Sequence, residues 1–386
     1  MNNLADLIIN GSLVAVPTET VYGLACNGLD DKAVKKVYEI KGRPQVKPLS
    51  LMVHDKSWID RFCLNVPEQA YYLADRFWPG PLSIVLESKN IVPEIVRAGG
   101  RTVSLRCPDS NLTLQLISEA NLPLAAPSAN PSGMPSPKSA EEVKGYFGDS
   151  IPVIDGGVCS LGIESTIIDL SVKPFSILRS GALSKDSIAS ALVANMYIVG
   201  LTGQSGSGKS FALKLLEEKG YTIIDCDKLY HELLLSDREM LSDIESKFPD
   251  AFIDGVLNRK ILSSIVFSNS GDLDTLNTIT HSKVLREVEN LLQQYAFDGI
   301  TEVAIEAVEL FSSGISDFCK KTIGIIADKE IRIERIIERD SLSETEAENR
   351  ICSQKDSSYY SRNCDVTIDN STSKEDFKMK LYGEVN

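Results

Sequence analysis

Eight consecutive residues, Gly203-Gln204-Ser205-Gly206-Ser207-Gly208-Lys209-Ser210, spell G-x-x-x-x-G-K-[ST]. An apolar run, Tyr197 to Leu201, precedes them and Phe211 to Leu216 follows with helical spacing, so the strand, loop and helix that this motif needs are all present. The chemistry is phosphate binding. Glycines let successive main-chain N–H groups turn inward on an anion, so Ser205, Gly206, Ser207 and Gly208 form a cradle. Lys209 adds a point charge for the outer phosphates, and the Ser210 hydroxyl is a ligand for Mg2+. Downstream, Asp225-Cys226-Asp227 closes an expected strand over Tyr221 to Ile224. Carboxylates at a strand end facing a phosphate loop can hold Mg2+, the role given to Asp225, or take a proton from an attacking hydroxyl, the role given to Asp227. Capping the next helix is the plainer use of Asp227.

The first half of the chain has a different set. Lys41-Gly42-Arg43-Pro44 and Lys47-Pro48 confine three cations between prolines. That suits a polyphosphate, because proline lowers the entropy lost on ordering the loop; a solvated basic loop is the plainer reading. Pro17-Thr18-Glu19-Thr20-Val21-Tyr22-Gly23 gathers hydroxyls and a carboxylate after an expected strand at Leu13 to Val16, where a turn around a buried Tyr22 is the plainer reading. Arg101 to Pro108, Ser128-Ala129-Asn130-Pro131, Ser165-Thr166 and Ile177-Leu178-Arg179 follow in order.

These segments need scaffolds. Helical spacing is expected over Leu4 to Ile9, Ala33 to Ile40 and Ser184 to Ala194, and strands at Leu49 to Val53, Val303 to Ile305 and Thr322 to Ala327. At 386 residues, with 43% hydrophobic and 24% charged positions, the chain is long enough for two globular domains. Boundaries of 1–190 and 196–386 are expected, with almost no linker between. The net charge of −14 is uneven: residues 1–195 carry 18 Lys and Arg against 20 Asp and Glu, and residues 196–386 carry 22 against 34. Stable nucleic-acid binding by the acidic second half is therefore not expected. Eight scattered cysteines without C-x-x-C, and only three histidines, argue against zinc sites and disulfide frameworks. The start of the chain lacks a basic n-region and no run of about 18 apolar residues occurs, so a soluble cytoplasmic protein is expected.

From about Leu4 to Gly181 the ordered motifs closely resemble the YrdC-type family of threonylcarbamoyl-AMP synthases. The resemblance implies a twisted, mostly parallel α/β sheet around a large positive cavity. It implies a reaction of L-threonine, bicarbonate and ATP, with Mg2+, giving threonylcarbamoyl-adenylate and pyrophosphate. The product would feed the tRNA threonylcarbamoyl-transferase machinery, which modifies the adenosine beside the anticodon. By the same resemblance Lys41 and Arg43 grip the ATP phosphates and carry catalysis. Thr102, Ser128, Asn130 and Arg179 complete the nucleotide site, and Thr18, Arg106 and Ser165 bind threonine. Chemically this is sound: Arg106 can pair bidentately with a carboxylate, while Lys41 and Arg43 offset charge at the α-phosphate as pyrophosphate leaves. His54 is read as structural. A non-catalytic nucleotide- or RNA-binding module is the alternative for this half.

From about Tyr197 to Tyr382 the chain looks like dephospho-CoA kinase, on the Asp-x-Asp and the Arg339-Asp340-Ser341-Leu342-Ser343 segment with downstream Arg350 and Gln354. This implies a P-loop kinase core, a parallel sheet with helices on both faces, with helical CoA-binding and lid segments. The implied reaction moves the ATP γ-phosphoryl group to the ribose 3′-hydroxyl of dephospho-CoA. Asp227 matches the general base, Lys209 and Ser210 the phosphate and Mg2+ ligands, and Arg335, Arg339 and Arg350 the lid arginines. Ion pairs along a helix face are the plainer use of those arginines. The chain departs from most relatives at Val308-Glu309-Leu310-Phe311-Ser312 in place of Pro-Leu-Leu-Phe-Glu, at Ser282 in place of a proline after His281, and at Asn258 in place of an Asp. Glu306 or Glu309 is left to replace the missing carboxylate. A P-loop kinase for another small metabolite is the alternative.

Overall fold

The computed structural model describes residues 2–352 and 354–385. Two compact units emerge: one reaches to Asn195 and includes Ala296–Gly299, and the other runs from Met196 to Tyr295 and again from Ile300 onward.

The strands of the first unit are β1 (Val14–Val16), β2 (Gly23–Asn27), β3 (Ser50–Met52), β4 (Cys63–Leu64), β5 (Leu82–Ser88), β6 (Thr102–Arg106), β7 (Leu124–Ala125), β8 (Thr166–Asp169) and β9 (Ser176–Arg179). They form one sheet of order β1-β2-β7-β3-β6-β5-β8-β9, with β4 added on β5. Among the described residues only β3/β6 and β5/β8 run parallel. The other pairs are antiparallel. The sheet is therefore mixed rather than mostly parallel. Part of the physical reason is connectivity: β1/β2 and β8/β9 are consecutive strands joined by links of about six residues, and a parallel pair needs a crossover of about a dozen or more.

One helix of this unit places a key cation. Asp30 caps Asp31–Lys41 by accepting from the Lys32 N–H at 2.9 Å, and Gly42 ends it in the left-handed region at φ +57°. Its inward stripe is Ala33, Val34, Val37, Tyr38 and finally Lys41. The period of 3.6 thus carries an ammonium to the interior end of an otherwise apolar face.

The second unit has β10 (Tyr197–Gly203), β11 (Thr222–Asp225), β12 (Phe252–Ile253), β13 (Val256–Leu257), β14 (Glu302–Glu306), β15 (Lys321–Ile326) and β16 (Val366–Asp369). β12 and β13 form a small hairpin; the others make a sheet of order β11-β14-β10-β15-β16 in which every pair is parallel. Alternation sorts β10 into two faces. Val199 and Leu201 join Ile323, Ile325 and Ile368 in a core closed by helices Lys209–Lys219 and Lys374–Glu384 through Leu216, Phe377 and Leu381. Gly200 points the other way, where an added Cβ would lie 2.7 Å from the Cys319 Sγ. Because the chain leaves β10 toward β11 and β14 on one side and β15 and β16 on the other, the crevice for a ligand opens at the carboxyl end of β10. Among the described residues no helix is long and apolar enough to cross a membrane.

Candidate active sites

A cavity in the first unit is lined by Arg43, Arg106 and Arg179, by Glu164, and by hydroxyls that include Thr20, Ser128 and Ser165. It is positive, as expected, but at about 150 Å³ it is modest rather than large. Arg106 ends β6 and is buried with Glu19, whose Oε1 lies 2.8 Å from its Nη2. The same nitrogen donates to the Thr20 Oγ1 at 2.8 Å, and Nε donates to the Gly80 carbonyl at 3.2 Å. Arg179 donates from Nε to the Ser165 carbonyl (2.9 Å), from Nη2 to the Ser165 Oγ (3.0 Å) and from Nη1 to Glu164 (2.5 Å). The Ser165 hydroxyl also meets the Ser83 hydroxyl at 2.9 Å.

Lys41 is buried beside this cavity, and its Nζ donates to the Ser128 and Asn130 carbonyls. Burial, helped by Arg43 and opposed by Glu164, pulls its pKa down to about 8. Arg43 donates to the Pro48 carbonyl at 3.1 Å, and burial likewise lowers its pKa. The Asn130 Nδ2 bonds the Pro131 and Met134 carbonyls, while its buried Oδ1 has no protein partner. Such an orphan marks a place for a ligand or water.

Two expected residues stand elsewhere. Thr18 folds its hydroxyl back on its own turn, donating to the Val21 carbonyl at 2.7 Å and accepting from the Thr20 N–H at 3.1 Å, so Thr20 takes the cavity wall. Thr102 opens β6, four residues or roughly 13 Å along the strand from Arg106. Tyr22 is fully buried and donates to the Gly157 carbonyl at 2.8 Å. His54 pairs with Asp55 at 2.8 Å, outside the cavity wall. Thr20, Ser83 and Glu164 are additions. The first has its signal in the Thr-x-Thr repeat around Glu19, whereas nothing in the local sequence singles out Ser83.

In the second unit the glycine-rich loop links β10 to helix Lys209–Lys219. Gly208 adopts φ +100°, and a Cβ there would fall 2.1 Å from the Asn370 Nδ2, so only glycine fits. Arg332 braces the loop by donating to the Ser205 carbonyl at 2.9 Å, and Arg335 donates to the Gly206 carbonyl at 3.3 Å. The Gln354 Oε1 accepts from the Ser205 N–H at 2.9 Å, and the Asn370 Nδ2 donates to the Ser207 carbonyl at 2.7 Å. Inside, the buried Ser207 hydroxyl has no protein partner. Lys209 donates to the Gly203 carbonyl at 3.1 Å and lies 3.8 Å from Glu306. Burial lowers the Lys209 pKa and raises that of Glu306 to about 7, where Lys209 opposes and Asp227 and Asp225 add to the rise.

Asp225 and Glu306 are register partners at the ends of β11 and β14. Asp225, not Asp227, caps helix Cys226–Ser236, accepting from the Lys228 N–H at 2.9 Å. Asp227 sits in the first turn on the wall of a cavity of about 210 Å³, with Tyr230, Thr280, His281 and Glu309. Tyr230 and Leu276 also line a cavity of about 670 Å³ whose other walls are apolar except for Arg259, Lys260 and Ser263. Ser210 is exposed at the head of helix Lys209–Lys219. Arg339 and Arg350 converge on Asp340, at 2.8 and 2.7 Å. Arg332 is the arginine that sequence reasoning passed over; it shares a helix face with Arg335 and Arg339 at spacings of three and seven.

Comparison with known proteins fits this division. The model of the Sua5/YciO/YrdC family, described as telomere recombination, matches residues 6–181, and the dephospho-CoA kinase model matches residues 197–376. A threonylcarbamoyl-AMP synthase of Pyrococcus abyssi is 45% identical over 48% of this chain and 54% of its own length, so the chain spans about half of that relative. A homologue from Methanocaldococcus jannaschii is 37% identical over 47% of this chain and 86% of its own. A dephospho-CoA kinase of Fusobacterium nucleatum is 35% identical over 48% of this chain and 96% of its own. The chain therefore belongs to two families at once, the YrdC-type threonylcarbamoyl-AMP synthases through its first unit and the dephospho-CoA kinases through its second.

Proposed function

We propose that the chain is a bifunctional ATP-dependent enzyme of the cytoplasm, forming threonylcarbamoyl-adenylate in the first unit and phosphorylating the ribose 3′-hydroxyl of dephospho-CoA in the second. The observation that carries this reading is that each unit has its own cation-bearing cradle beside a cavity.

In the first unit, Arg106 pairs with the threonine carboxylate, aided by Ser165 and by Thr20. Arg43, Arg179 and Lys41 take the triphosphate, with Ser128 and Asn130 completing the nucleotide contacts. As the carbamate oxygen attacks the α-phosphorus and the bond to pyrophosphate breaks, these cations offset the charge that builds on the leaving group. Bicarbonate supplies the carbamate carbon, and the adenylate passes to the tRNA-modifying transferase.

In the second unit the loop amides and Lys209 hold the β- and γ-phosphates. Asp227 accepts the proton of the attacking ribose hydroxyl. The cavity behind it offers an apolar wall for a pantetheine chain, with Arg259 and Lys260 for its phosphates. Among the described residues no group of three or more His, Cys, Asp or Glu side chains forms a metal cage. Ser210 and Asp225 nevertheless fit Mg2+, which takes one or two protein oxygens and is otherwise carried by the nucleotide. When bound, that ion would neutralise phosphate charge during transfer.

Two product assays on the intact chain test the reading: pyrophosphate release that requires both threonine and bicarbonate, and CoA formation from dephospho-CoA. Loss of the first dependence would favour a binding module, and failure with dephospho-CoA alone would favour another small-molecule kinase.

A further inference from the structure

The synthase cavity must hold a nucleotide of several negative charges, yet Glu164 puts a carboxylate on its wall, the one carboxylate among the described residues lining it. A carboxylate there opposes anion binding, so its presence needs a reason. Holding Arg179 in place is an insufficient one. The Arg179 Nε and Nη2 are already fixed by the Ser165 carbonyl and hydroxyl at 2.9 and 3.0 Å, and Glu164 takes only the remaining Nη1. The other Glu164 oxygen is held by the Ser136 hydroxyl at 3.1 Å, which aims the group without neutralising it.

The sheet order β6-β5-β8 sets the distances. Arg106 closes β6 and Glu164 and Ser165 lead into β8, with β5 between them. Two strand spacings are roughly 10 Å, a gap that two side chains and one amino acid can bridge. An amino acid whose carboxylate pairs with Arg106 then presents its ammonium toward the Glu164 side.

Building on the synthase reading, we propose that Glu164 recognises the α-ammonium of the amino-acid substrate, exchanging the Arg179 Nη1 for it and leaving that nitrogen to the nucleotide phosphates while Ser165 keeps hold of Nε and Nη2. In the free cavity the charges of Glu164 and Arg179 thus offset each other, and each partner of the pair receives an opposite charge from one substrate. Recognition of an amino acid, rather than of any hydroxy acid, then resides in this one side chain.

The test compares L-threonine with its analogue in which hydroxyl replaces ammonium, 2,3-dihydroxybutanoate of matching stereochemistry. The KM of threonine and the inhibition constant of the analogue are measured in pyrophosphate release by the full chain, for the wild type, E164Q and E164D. A charge-assisted pair should favour threonine by roughly ten- to hundredfold in the wild type, and E164Q should lose most of that ratio. E164D, which keeps the charge, should retain part of it. An inactive but folded variant is read by calorimetric titration of the same two acids. If E164Q weakens both acids and ATP alike with the ratio unchanged, or if the wild type does not discriminate, Glu164 is only a clamp for Arg179 and the inference is overturned. Absence of threonine- and bicarbonate-dependent pyrophosphate from the wild type would instead remove the synthase reading, and the inference with it.

Discussion

Lys41 shows how one buried charge sets a pH dependence. Its ammonium, drawn down to about 8 by burial and by Arg43, is charged below that pH and neutral above it. Phosphate binding needs the charged form, so pyrophosphate release should fall as pH rises from 7 to 9. Lys41→Arg, which stays charged across this range, should flatten whatever activity remains. Stability has the opposite sign: between about 8 and the unfolded value of about 10.4 the unfolded chain binds more protons, so stability rises with pH in that window. Arg332 makes a second case. Arg332→Ala would leave the Ser205 carbonyl and one contact of Gln354 without a donor, and should cost roughly 1–3 kcal/mol in denaturant unfolding of the second unit while weakening nucleotide binding.

Among the elements, the loop and the helix it feeds have the least tolerance. Gly208→Ala combines φ +100° with a contact of 2.1 Å to Asn370, so the loop must open, and CoA formation should drop by at least about tenfold with pyrophosphate release unchanged. The elements themselves were legible where one signal dominates. The apolar run before Gly203 and the helical spacing of Ala33 to Ile40 both mark real elements, β10 and the helix Asp31–Lys41. Strand direction in the first sheet was not, because β3, β7 and β1 are only two or three residues long and carry no record of their partners. The same limit applies to side chains. Arg106 and Ser165 stood out by motif. That Thr20 meets Arg106 and Ser83 meets Ser165 depends on segments far apart in sequence, whereas Glu164 adjoins Ser165 in the chain and becomes visible only through its pair with Arg179. Asp225 and Asp227 divide capping from cavity lining only once the helix start is placed at Cys226.

For the molecule as a whole, the claim is that two anion cradles work independently on one polypeptide, one at Lys41 and Arg43 and one at Lys209. Lys41→Ala should lose pyrophosphate release and keep the kinase, and Lys209→Ala should do the reverse. The most direct measurement is phosphorus NMR of one reaction containing ATP, Mg2+, threonine, bicarbonate and dephospho-CoA, run with the wild type and with Lys209→Ala. The account predicts pyrophosphate and threonylcarbamoyl-adenylate together with ADP and CoA from the wild type, and pyrophosphate and the adenylate without ADP or CoA from the variant. Loss of all four products together in a folded variant, or CoA formed undiminished without Lys209, would contradict it.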